Sequence, residues 1–402
     1  MSTKIAPFFF LHIRKTAGTS LRGLLANRFP ANSILFQAHS VSGPQQPGDA
    51  LFATGHVGFD YAQRFRVALK TFTVMREPIS LALSGYYFFQ KHDEQFFRVL
   101  ESALNATEYQ SRRHFYHRAR HLSMLQFLVE EESLARAWLS NIQTRQLAGI
   151  SCAGLADDDP RLIETALDHL GEIDLVGIVE RLDDTLPLLA QMMDWGRLGP
   201  LQHLNITDRS ETADVDPRCV EILRSWNLLD LRLYEEALCL FELKAKAFNA
   251  SSPAERTAVT AWPVEGDVFT PDQPIYGYGW HDREYYQGRW LCWNSMPEAT
   301  LDLSFSTTKA SKFHCLLTHV INEIALENLQ ITLNSVPLTL QKREDEAGGI
   351  LLESDIPAKA WGPDPRLAQL TFTCPIMQRP CDMSTSTDKR SLGVAIGWLR
   401  FS

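Results

Sequence analysis

The chain has 402 residues, of which 45% are hydrophobic and 22% charged, so it is long enough for two domains and its composition excludes a disordered protein. The formal net charge of −9 argues against sequence-independent binding to nucleic acid, which needs a dense cationic face. Any anionic ligand must therefore meet a local basic patch.

The seven cysteines are scattered and odd in number, which favours a reducing compartment over a disulfide framework. The one close pair, Cys374 and Cys381, has no second pair nearby with which to form a zinc site. The short apolar run near residue 10 ends in "HIRK" and lacks the length of a signal peptide or membrane anchor. We therefore expect a cytoplasmic protein with no integral membrane segment and no nucleic-acid partner.

Short apolar runs alternate with helical patterns over residues 1–250. The predicted strands are residues 8–13, 33–36, 52–57, 69–75 and 174–179. Strands that alternate with helices predict an α/β fold, in which helices cover both faces of a mostly parallel sheet. Ligands of such sheets bind at the carboxyl ends of the strands.

The composition and the hydrophobic pattern of the sequence change near residue 250. Residues 251–270 are rich in Pro, Ser, Thr and Ala without a helical period, which predicts a linker. Residues 271–402 contain apolar runs of period two, separated by turn residues, which predict an all-β sandwich. The predicted organisation is thus a domain at 1–250, a linker and a β-sandwich accessory domain at 271–402.

A basic, hydroxyl-rich segment, "HIRKTAGTS" at residues 12–20, lies between the first predicted strand and a predicted helix. Such a loop offers backbone N–H groups and the positive end of the helix dipole, so it suits a phosphate or a sulfate. The lysine precedes the glycine, so this is not a Walker A loop, and the alternative is that Thr16 or Thr19 only caps the helix. The candidate anion-binding residues are Arg14, Lys15, Thr16, Ala17, Gly18, Thr19 and Ser20.

A second segment, "VMREPISLALSGYY", begins at the end of the fourth predicted strand. Arg76 follows that strand, Pro78 suits the first position of a helix, and Ser84 comes about two helical turns later. Arg76 suits a bidentate contact with a second phosphate, to which Ser84 adds a hydroxyl. Taken alone, an arginine that closes a surface salt bridge is the alternative.

Together the two segments resemble the cofactor motifs of the sulfotransferases, in particular the branch of the heparan sulfate and uronyl 2-O-sulfotransferases and their bacterial relatives. The resemblance implies a P-loop-like parallel sheet whose first loop binds the 5′-phosphosulfate of 3′-phosphoadenosine 5′-phosphosulfate (PAPS). It implies that Arg76 and Ser84 bind the 3′-phosphate. The sequence departs from the family at Arg14, where proline is usual, and at Leu81, where a second arginine is frequent.

Further segments extend the resemblance over about residues 7–248. "FATGHVGFD" is similar to the family's Gly-His segment and implies that His56 is the general base, with Thr54 where a second histidine can occur. "NIQTRQLAG" is similar to the segment whose arginine, here Arg145, lies near the cofactor. A loop around residues 205–209 is implied to close over the nucleotide.

The implied chemistry is sulfuryl transfer from PAPS to an acceptor hydroxyl, in line between two oxygens. Lys15 would neutralise the charge that grows on the leaving phosphate, because a mobile ammonium follows the bridging oxygen. His56, with an ordinary histidine pKa near ~6.5, would take the proton of the hydroxyl. This chemistry requires no metal.

The acceptor side is represented by "QSRRHFYHRARH" at residues 110–121. Arg112, Arg113 and His117 are the candidate substrate-binding residues, in a wall for an anionic saccharide or another acidic acceptor. The alternative is a solvated, charged helix face. The family's acceptors are most often sugar hydroxyls, and its bacterial members also sulfate lipids and small molecules.

Residues 276–305, "YGYGWHDREYYQGRWLCWNSMPEATLDLSF", resemble a small β module attached to some bacterial glycosyltransferases. This resemblance favours a role in the biosynthesis of extracellular polysaccharide on the cytoplasmic side. Trp280, Trp290 and Trp293 either stack on sugar rings or belong to the core.

The leading hypothesis is thus a PAPS-dependent sulfotransferase that acts on a hydroxyl of a glycan or a related acceptor. A P-loop-type kinase is one alternative, but it needs magnesium ligands and a Gly-Lys-Ser/Thr order that this sequence lacks. A catalytically inactive carbohydrate-binding protein is another, and the presence of Lys15, His56, Arg76 and Ser84 together counts against it.

Overall fold

A computed structural model describes residues 5–37, 46–90, 106–195, 198–199, 215–250, 262–264, 268–305, 310–345, 348–362 and 367–402. Its first part is built around a parallel five-stranded sheet in the order β2-β3-β1-β4-β5. The strands are β1 (Phe8–Leu11), β2 (Ile34–Gln37), β3 (Phe52–Gly55), β4 (Lys70–Met75) and β5 (Leu175–Ile178).

All five predicted strands are confirmed, because each predicted apolar run overlaps a strand of the parallel sheet. The central strand β1 is fully buried, and the ring of its Phe8 packs on Phe29, Phe52 and Phe72. Burial of one such side chain stabilises the fold by about 1.5–3 kcal/mol.

Helices flank this sheet and form a second apolar cluster beside it. They are α1 (Gly18–Ala26), α2 (Pro78–Gln90), α3 (Ala106–His121), α4 (Met124–Glu130), α5 (Glu132–Leu139), α6 (Ile142–Ala148), α7 (Pro160–Glu172), α8 (Leu182–Met193), α9 (Pro217–Trp226) and α10 (Leu228–Ala250). Among the described residues, none of the helices is both long and apolar enough to cross a lipid bilayer.

Residues 124–139 form two helices rather than one. The backbone leaves the helical conformation at Glu131, with φ −114° and ψ 34°, so that α4 and α5 are separate. Helix α4 begins at a capping box made by Ser123 and Gln126, which fixes its start.

The second part consists of two largely antiparallel sheets, in the orders β13-β12-β16-β10-β6 and β14-β15-β11-β17-β9-β8, with β7 paired to β17. Its strands are β6 (Trp262–Val264), β7 (Val268–Phe269), β8 (Glu284–Tyr286), β9 (Arg289–Trp293), β10 (Glu298–Phe305), β11 (Lys312–Val320), β12 (Gln330–Leu333), β13 (Val336–Pro337), β14 (Gln341–Glu344), β15 (Ile350–Asp355), β16 (Leu367–Thr373) and β17 (Val394–Phe401). Two short helices, α11 (Glu323–Glu327) and α12 (Pro380–Met383), connect strands.

One apolar core contains residues of both sheets, among them Leu301 and Phe372 of the first and Phe313 and Ile396 of the second. The α/β part is therefore followed by a β part, as the sequence predicts. Strands β6 and β7 fall within the segment predicted as a linker, of which residues 251–261 and 265–267 lie outside the described ones.

The two parts are joined at the carboxyl end of α1. The side chain of Arg283 donates to the carbonyl oxygens of Ala26 and Phe29, each at 2.7 Å. In the opposite direction, Arg28 of the first part donates to the carbonyl of Gly277 at 2.8 Å. The β part therefore holds the helix that follows the basic loop.

Candidate functional site

Three chain segments meet at one edge of the parallel sheet. β1 lies between β3 and β4, with Leu11 in register with Gly55 on one side and with Thr73 on the other. The chain leaves β1 toward β2 and leaves β4 toward β5, so the connections diverge between β1 and β4. That divergence opens the crevice in which sheets of this kind bind ligands.

The loop from β1 to α1 has an unusual backbone. Lys15 and Ala17 have positive φ angles, 65° and 61°, which cost residues with a Cβ about 1–2 kcal/mol each. The hydroxyl of Thr16, which is fully buried, donates to the carbonyl of Ile13 at 2.8 Å and closes this turn. Alternation of φ in sign turns successive N–H groups toward one side, which is how anion-binding concavities form.

The N-terminus of α1 has no side-chain cap and no acidic residue in its first turn. Four other helices differ, because a carboxylate accepts hydrogen bonds from their first N–H groups. The carboxylates are Glu77 for α2, Asp230 of α10 for α6, Asp159 for α7 and Asp216 for α9. The first turn of α1 thus keeps the positive end of its dipole without a side-chain anion.

Gly18 starts α1 where a side chain would not fit. A Cβ at this position would lie 1.7 Å from Nε2 of His12. The ring of His12 also packs on the ring of His56, with centroids 4.2 Å apart. Close packing of His12 therefore joins the start of α1 to the residue that follows β3.

The backbone fixes the tautomer of His56. Its Nδ1 lies 2.8 Å from the carbonyl oxygen of His12, and a carbonyl can only accept. Nδ1 therefore carries the proton of the neutral ring, and Nε2 carries the lone pair. A histidine in this tautomer can take a proton at Nε2.

Arg76 links the second segment to the first loop. Its Nη1 donates to the carbonyl oxygen of Lys15 at 3.1 Å. Burial lowers the pKa of Arg76, an effect that the nearby carboxylates of Glu180 and Glu77 oppose. The contact brings the end of β4 to the loop that follows β1, and that the two segments form one ligand site stays a prediction.

Gln143 and Gln146 of α6 hold this edge of the sheet, and the sequence analysis did not single them out. The fully buried Gln143 accepts from the N–H of Arg76 at 3.0 Å and donates to its carbonyl at 2.9 Å. Gln146 donates to the carbonyl of His12 at 2.8 Å. The spacing of the two glutamines, three residues apart, was the available signal, because that spacing puts both on one helix face.

Arg145, on the same helix, is directed elsewhere. It donates to the carbonyl of Leu155 at 3.1 Å and forms an ion pair with Asp157. Among the described residues, these contacts therefore do not join its guanidinium to the ammonium of Lys15 or to the guanidinium of Arg76. A contact between Arg145 and the cofactor stays a prediction.

The start of α6 is held by a buried carboxylate. Asp230 is fully buried and accepts from Gln143 N at 3.1 Å, from Thr144 N at 2.7 Å and from Thr144 Oγ1 at 2.7 Å. Burial raises the pKa of Asp230, while these hydrogen bonds act in the opposite direction. Asp230 thus positions the helix whose glutamines contact Arg76 and His12.

Lys15 and Ser84 lie on the α2 side of the loop. The ammonium of Lys15 stands over the ring of Phe88, 4.2 Å from its centroid. Ser84 precedes Phe88 by one helical turn and is 2% exposed. Thr19 is exposed, and Ser20 is half-buried beside it in the first turn of α1.

The basic helix α3 contributes one arginine to the neighbourhood of the loop. The guanidinium carbons of Arg112 and Arg14 lie 5.5 and 4.9 Å from the ring centroid of Trp138. Arg113 and His117 are exposed, with Arg113 over the ring of Tyr109. The substrate-binding candidates are therefore divided between the loop and the solvated helix face.

The remaining candidates are in the β part or outside the described residues. Trp280 is 9% exposed and donates to the carbonyl of Thr300, so it is a core residue. Trp290 and Trp293 are half-buried. The loop at residues 205–209 lies outside the described residues, as part of 200–214.

No family model matches the chain, and no curated protein matches its sequence. Among solved structures, mouse sulfotransferase SULT7A1 complexed with PAP is similar at 12% identity over 62% of this chain and 90% of that one, with a TM-score of 0.22. A 4-O-α-L-rhamnosyl-β-D-glucuronidase from Fusarium oxysporum 12S is similar at 8% identity over 99% of this chain and 96% of that one, with a TM-score of 0.13. TM-scores this low carry no argument about fold or activity.

Proposed function

We propose that the chain is a sulfotransferase that moves the sulfuryl group of PAPS to a hydroxyl of a glycan or a related acceptor. The same proposal includes a P-loop-like α/β domain, a β-sandwich accessory domain and action in the cytoplasm. Lys15 and His56 are its catalytic residues, and Arg76 and Ser84 its residues for the 3′-phosphate.

The observation that carries the proposal is the hydrogen bond from Arg76 Nη1 to the carbonyl of Lys15. These residues follow β4 and β1, on either side of the crevice between the two strands. PAP and PAPS carry phosphate groups at both ends of one adenosine ribose. A cationic loop and an arginine in contact across this crevice suit such a pair of anions.

The chemistry of the donors fits this co-substrate. The N–H groups of Gly18, Thr19 and Ser20 belong to a first helical turn without a carboxylate cap, so they suit the 5′-phosphate. Thr16 would contribute through its backbone, because its hydroxyl donates to Ile13. PAPS supplies the activated sulfuryl group and a phosphate leaving group.

Lys15 would stabilise the leaving phosphate. Its ammonium rests on the face of Phe88, an interaction worth about 0.5–2 kcal/mol, which a full anion outcompetes. The side chain is thus held near the crevice by a contact that a stronger anionic partner replaces. A flexible ammonium can follow the oxygen on which charge develops.

His56 would remove the proton of the acceptor hydroxyl. The carbonyl of His12 keeps the proton of the neutral ring on Nδ1, so Nε2 is the nitrogen that takes the substrate proton. The same hydrogen bond stabilises the imidazolium that results, because its donor becomes positively charged. Gln146 holds the carbonyl from a second direction.

Calorimetry with PAP, the desulfated product, tests the proposal. We expect PAP to bind to the wild-type chain without magnesium, and we expect Lys15→Ala and Arg76→Ala each to weaken binding about tenfold or more, because each removes a charged contact with a phosphate. Lys70→Ala is the matched control, since Lys70 lies at the opposite end of β4 and pairs with Asp174.

Two outcomes would contradict the proposal. One is a wild-type chain that shows no binding at high micromolar PAP. The other is binding of ATP with magnesium in preference to PAP, which would favour the kinase alternative. Loss of PAP affinity in Lys70→Ala to the same extent as in Arg76→Ala would show that the variants act through folding.

A further inference from the structure

The backbone of Arg76 is held by the side chain of one glutamine. The N–H of Arg76 donates to Oε1 of Gln143 at 3.0 Å, and Nε2 of Gln143 donates to the carbonyl of Arg76 at 2.9 Å. We refer to these two hydrogen bonds as the Gln143 clamp. Strand β4 ends one residue earlier, at Met75. Because a carboxamide carries a donor and an acceptor as a peptide group does, Gln143 acts beside Arg76 as a neighbouring strand would.

Gln143 is itself fixed in place. It is fully buried, and its own N–H donates to the buried carboxylate of Asp230 at 3.1 Å. A buried carboxamide that lost its hydrogen bonds would pay the full cost of its removal from water, so the side chain is confined to its contact with Arg76. The position of the Arg76 backbone is therefore set by α6 as well as by the sheet.

Helix α2 begins two residues after Arg76, and its start is stabilised without the Gln143 clamp. The N–H groups of Ile79 and Ser80 donate to the carboxylate of Glu77 at 3.1 and 2.7 Å. Since Glu77 already serves the open N–H groups of this helix, the clamp has another role. What it fixes is the point from which the side chain of Arg76 extends.

The guanidinium of Arg76 has a buried donor without a partner. Its Nη1 donates to the carbonyl of Lys15 at 3.1 Å, whereas its Nε is buried and has no hydrogen-bond partner among the described residues. Such a donor costs free energy, which an anion that accepts from it would recover. The bond to Lys15 has a neutral acceptor and is of modest strength, so the backbone position contributes strongly to where the charge lies.

We propose that Gln143 is a positioning residue that gives the nucleotide site its preference for a 3′-phosphate. This inference rests on the proposed function, in which Arg76 binds that phosphate. A bidentate contact between a guanidinium and a phosphate tolerates little displacement, so the clamp keeps Arg76 where both hydrogen bonds can form. Gln143 acts through Arg76 and not through a contact of its own with the nucleotide.

Two nucleotides that differ only in the 3′-phosphate, PAP and AMP, test this inference by calorimetry with the full chain. The ratio of their dissociation constants reports the 3′-phosphate contact alone. We expect the wild-type chain to bind PAP about thirtyfold or more tightly than AMP, because the contact is a charged one. Gln143→Met should reduce this preference to about fivefold or less while its affinity for AMP stays near the wild-type value.

Thr144→Val is the matched control for the loss of a buried hydrogen bond. Thr144 is the next residue and is fully buried like Gln143, and its hydroxyl donates to Asp230 at 2.7 Å. The substitution weakens the same helix start but leaves the Gln143 clamp in place, so it should lower stability and keep the wild-type preference for PAP. A merely structural role of Gln143 would make the two variants alike.

A double substitution shows whether Gln143 acts through Arg76. Arg76→Ala should itself abolish the preference for PAP, and addition of Gln143→Met should then leave the ratio unchanged, because the side chain that the clamp positions is absent. A further change of the ratio in the double variant would overturn the inference. Gln143→Asn withdraws the carboxamide by one methylene and should lower the preference severalfold, and it decides the test if Gln143→Met does not fold.

A wild-type preference retained in Gln143→Asn and in folded Gln143→Met would overturn the inference and leave the proposed function standing. Equal losses of PAP and AMP affinity would also overturn it, because Gln143 would then support the fold rather than the 3′-phosphate contact. A wild-type chain that binds PAP no more tightly than AMP would overturn the proposed function itself, together with the role of Arg76 on which this inference rests.

Discussion

Helix α1 has buried or half-buried arginines at both ends, and the contacts that these arginines make are different in kind. Burial lowers the pKa of Arg14, before the helix, and of Arg28 and Arg283, beside its carboxyl end, to about 10 in each case. Arg283 donates to the carbonyls of Pro271, Asp272, Gln273, Ala26 and Phe29. Arg14 instead lies on an indole beside Arg112.

The hydrogen bonds of Arg283 give it a structural role. Carbonyl oxygens at a helix C-terminus lack part of their intrahelical donors, so Arg283 supplies a donor to Phe29 and a second donor to Ala26, which already accepts from Phe29 N. The charge of Arg28 is likewise supported by the nearby Tyr276 and Asp302. At the other end of α1, the first turn of the helix has no acidic residue and no side-chain cap, and Arg14 and Lys15 precede it.

Arg283→Met removes the cation at the carboxyl end of α1 and should have the largest effect on stability. It leaves five carbonyls without this donor at the junction of the two parts, so we expect the free energy of unfolding to fall by about 3 kcal/mol or more. Chemical denaturation measures the loss, and limited proteolysis should cut between the two parts more rapidly.

Arg343→Met is the control for Arg283→Met within the β part. Its guanidinium is exposed and pairs with Glu353 on the surface, so its removal should change stability by less than about 1 kcal/mol. Equal stabilities of the two variants would mean that Arg283 does not hold the parts together.

His56→Ala changes the amino-terminal side of α1. It should remove the proposed general base while lowering the free energy of unfolding only slightly. With an acceptor found by screening hydroxyl-bearing sugars and lipids, turnover should fall about a hundredfold or more, which corresponds to about 2.7 kcal/mol in the barrier. Affinity for PAP, measured by calorimetry, should stay near the wild-type value. Unchanged turnover would assign the base to another residue.

The sequence predicted those parts of the molecule that depend on local pattern. Continuous apolar runs identified all five strands of the parallel sheet, and the positions of Lys15, His56 and Arg76 just after three of them placed these residues at one edge. Carboxyl ends of neighbouring parallel strands meet at the same edge, so this inference needs no tertiary detail.

The parts that sequence reasoning missed depend on contacts between distant residues. Asp230 holds Thr144 from 86 positions away, and Arg283 reaches Ala26 from 257 positions away. The face of α6 that meets Arg76 is likewise set by packing, which turns Gln143 and Gln146 toward the sheet edge and Arg145 toward Asp157. No local pattern specifies such a rotation.

Arg14→Gln should have the smallest effect on stability, and the size of that effect tests whether Arg14 has a structural role. The change loses a contact with Trp138 worth about 0.5–2 kcal/mol, but it also removes a buried charge and its repulsion from Arg112. We therefore expect the free energy of unfolding to change by no more than about 1 kcal/mol, and we expect no increase in proteolysis between the two parts. A loss as large as that of Arg283→Met would make Arg14 a structural residue, because the replacement of a charge that lies near a like charge should cost the fold little.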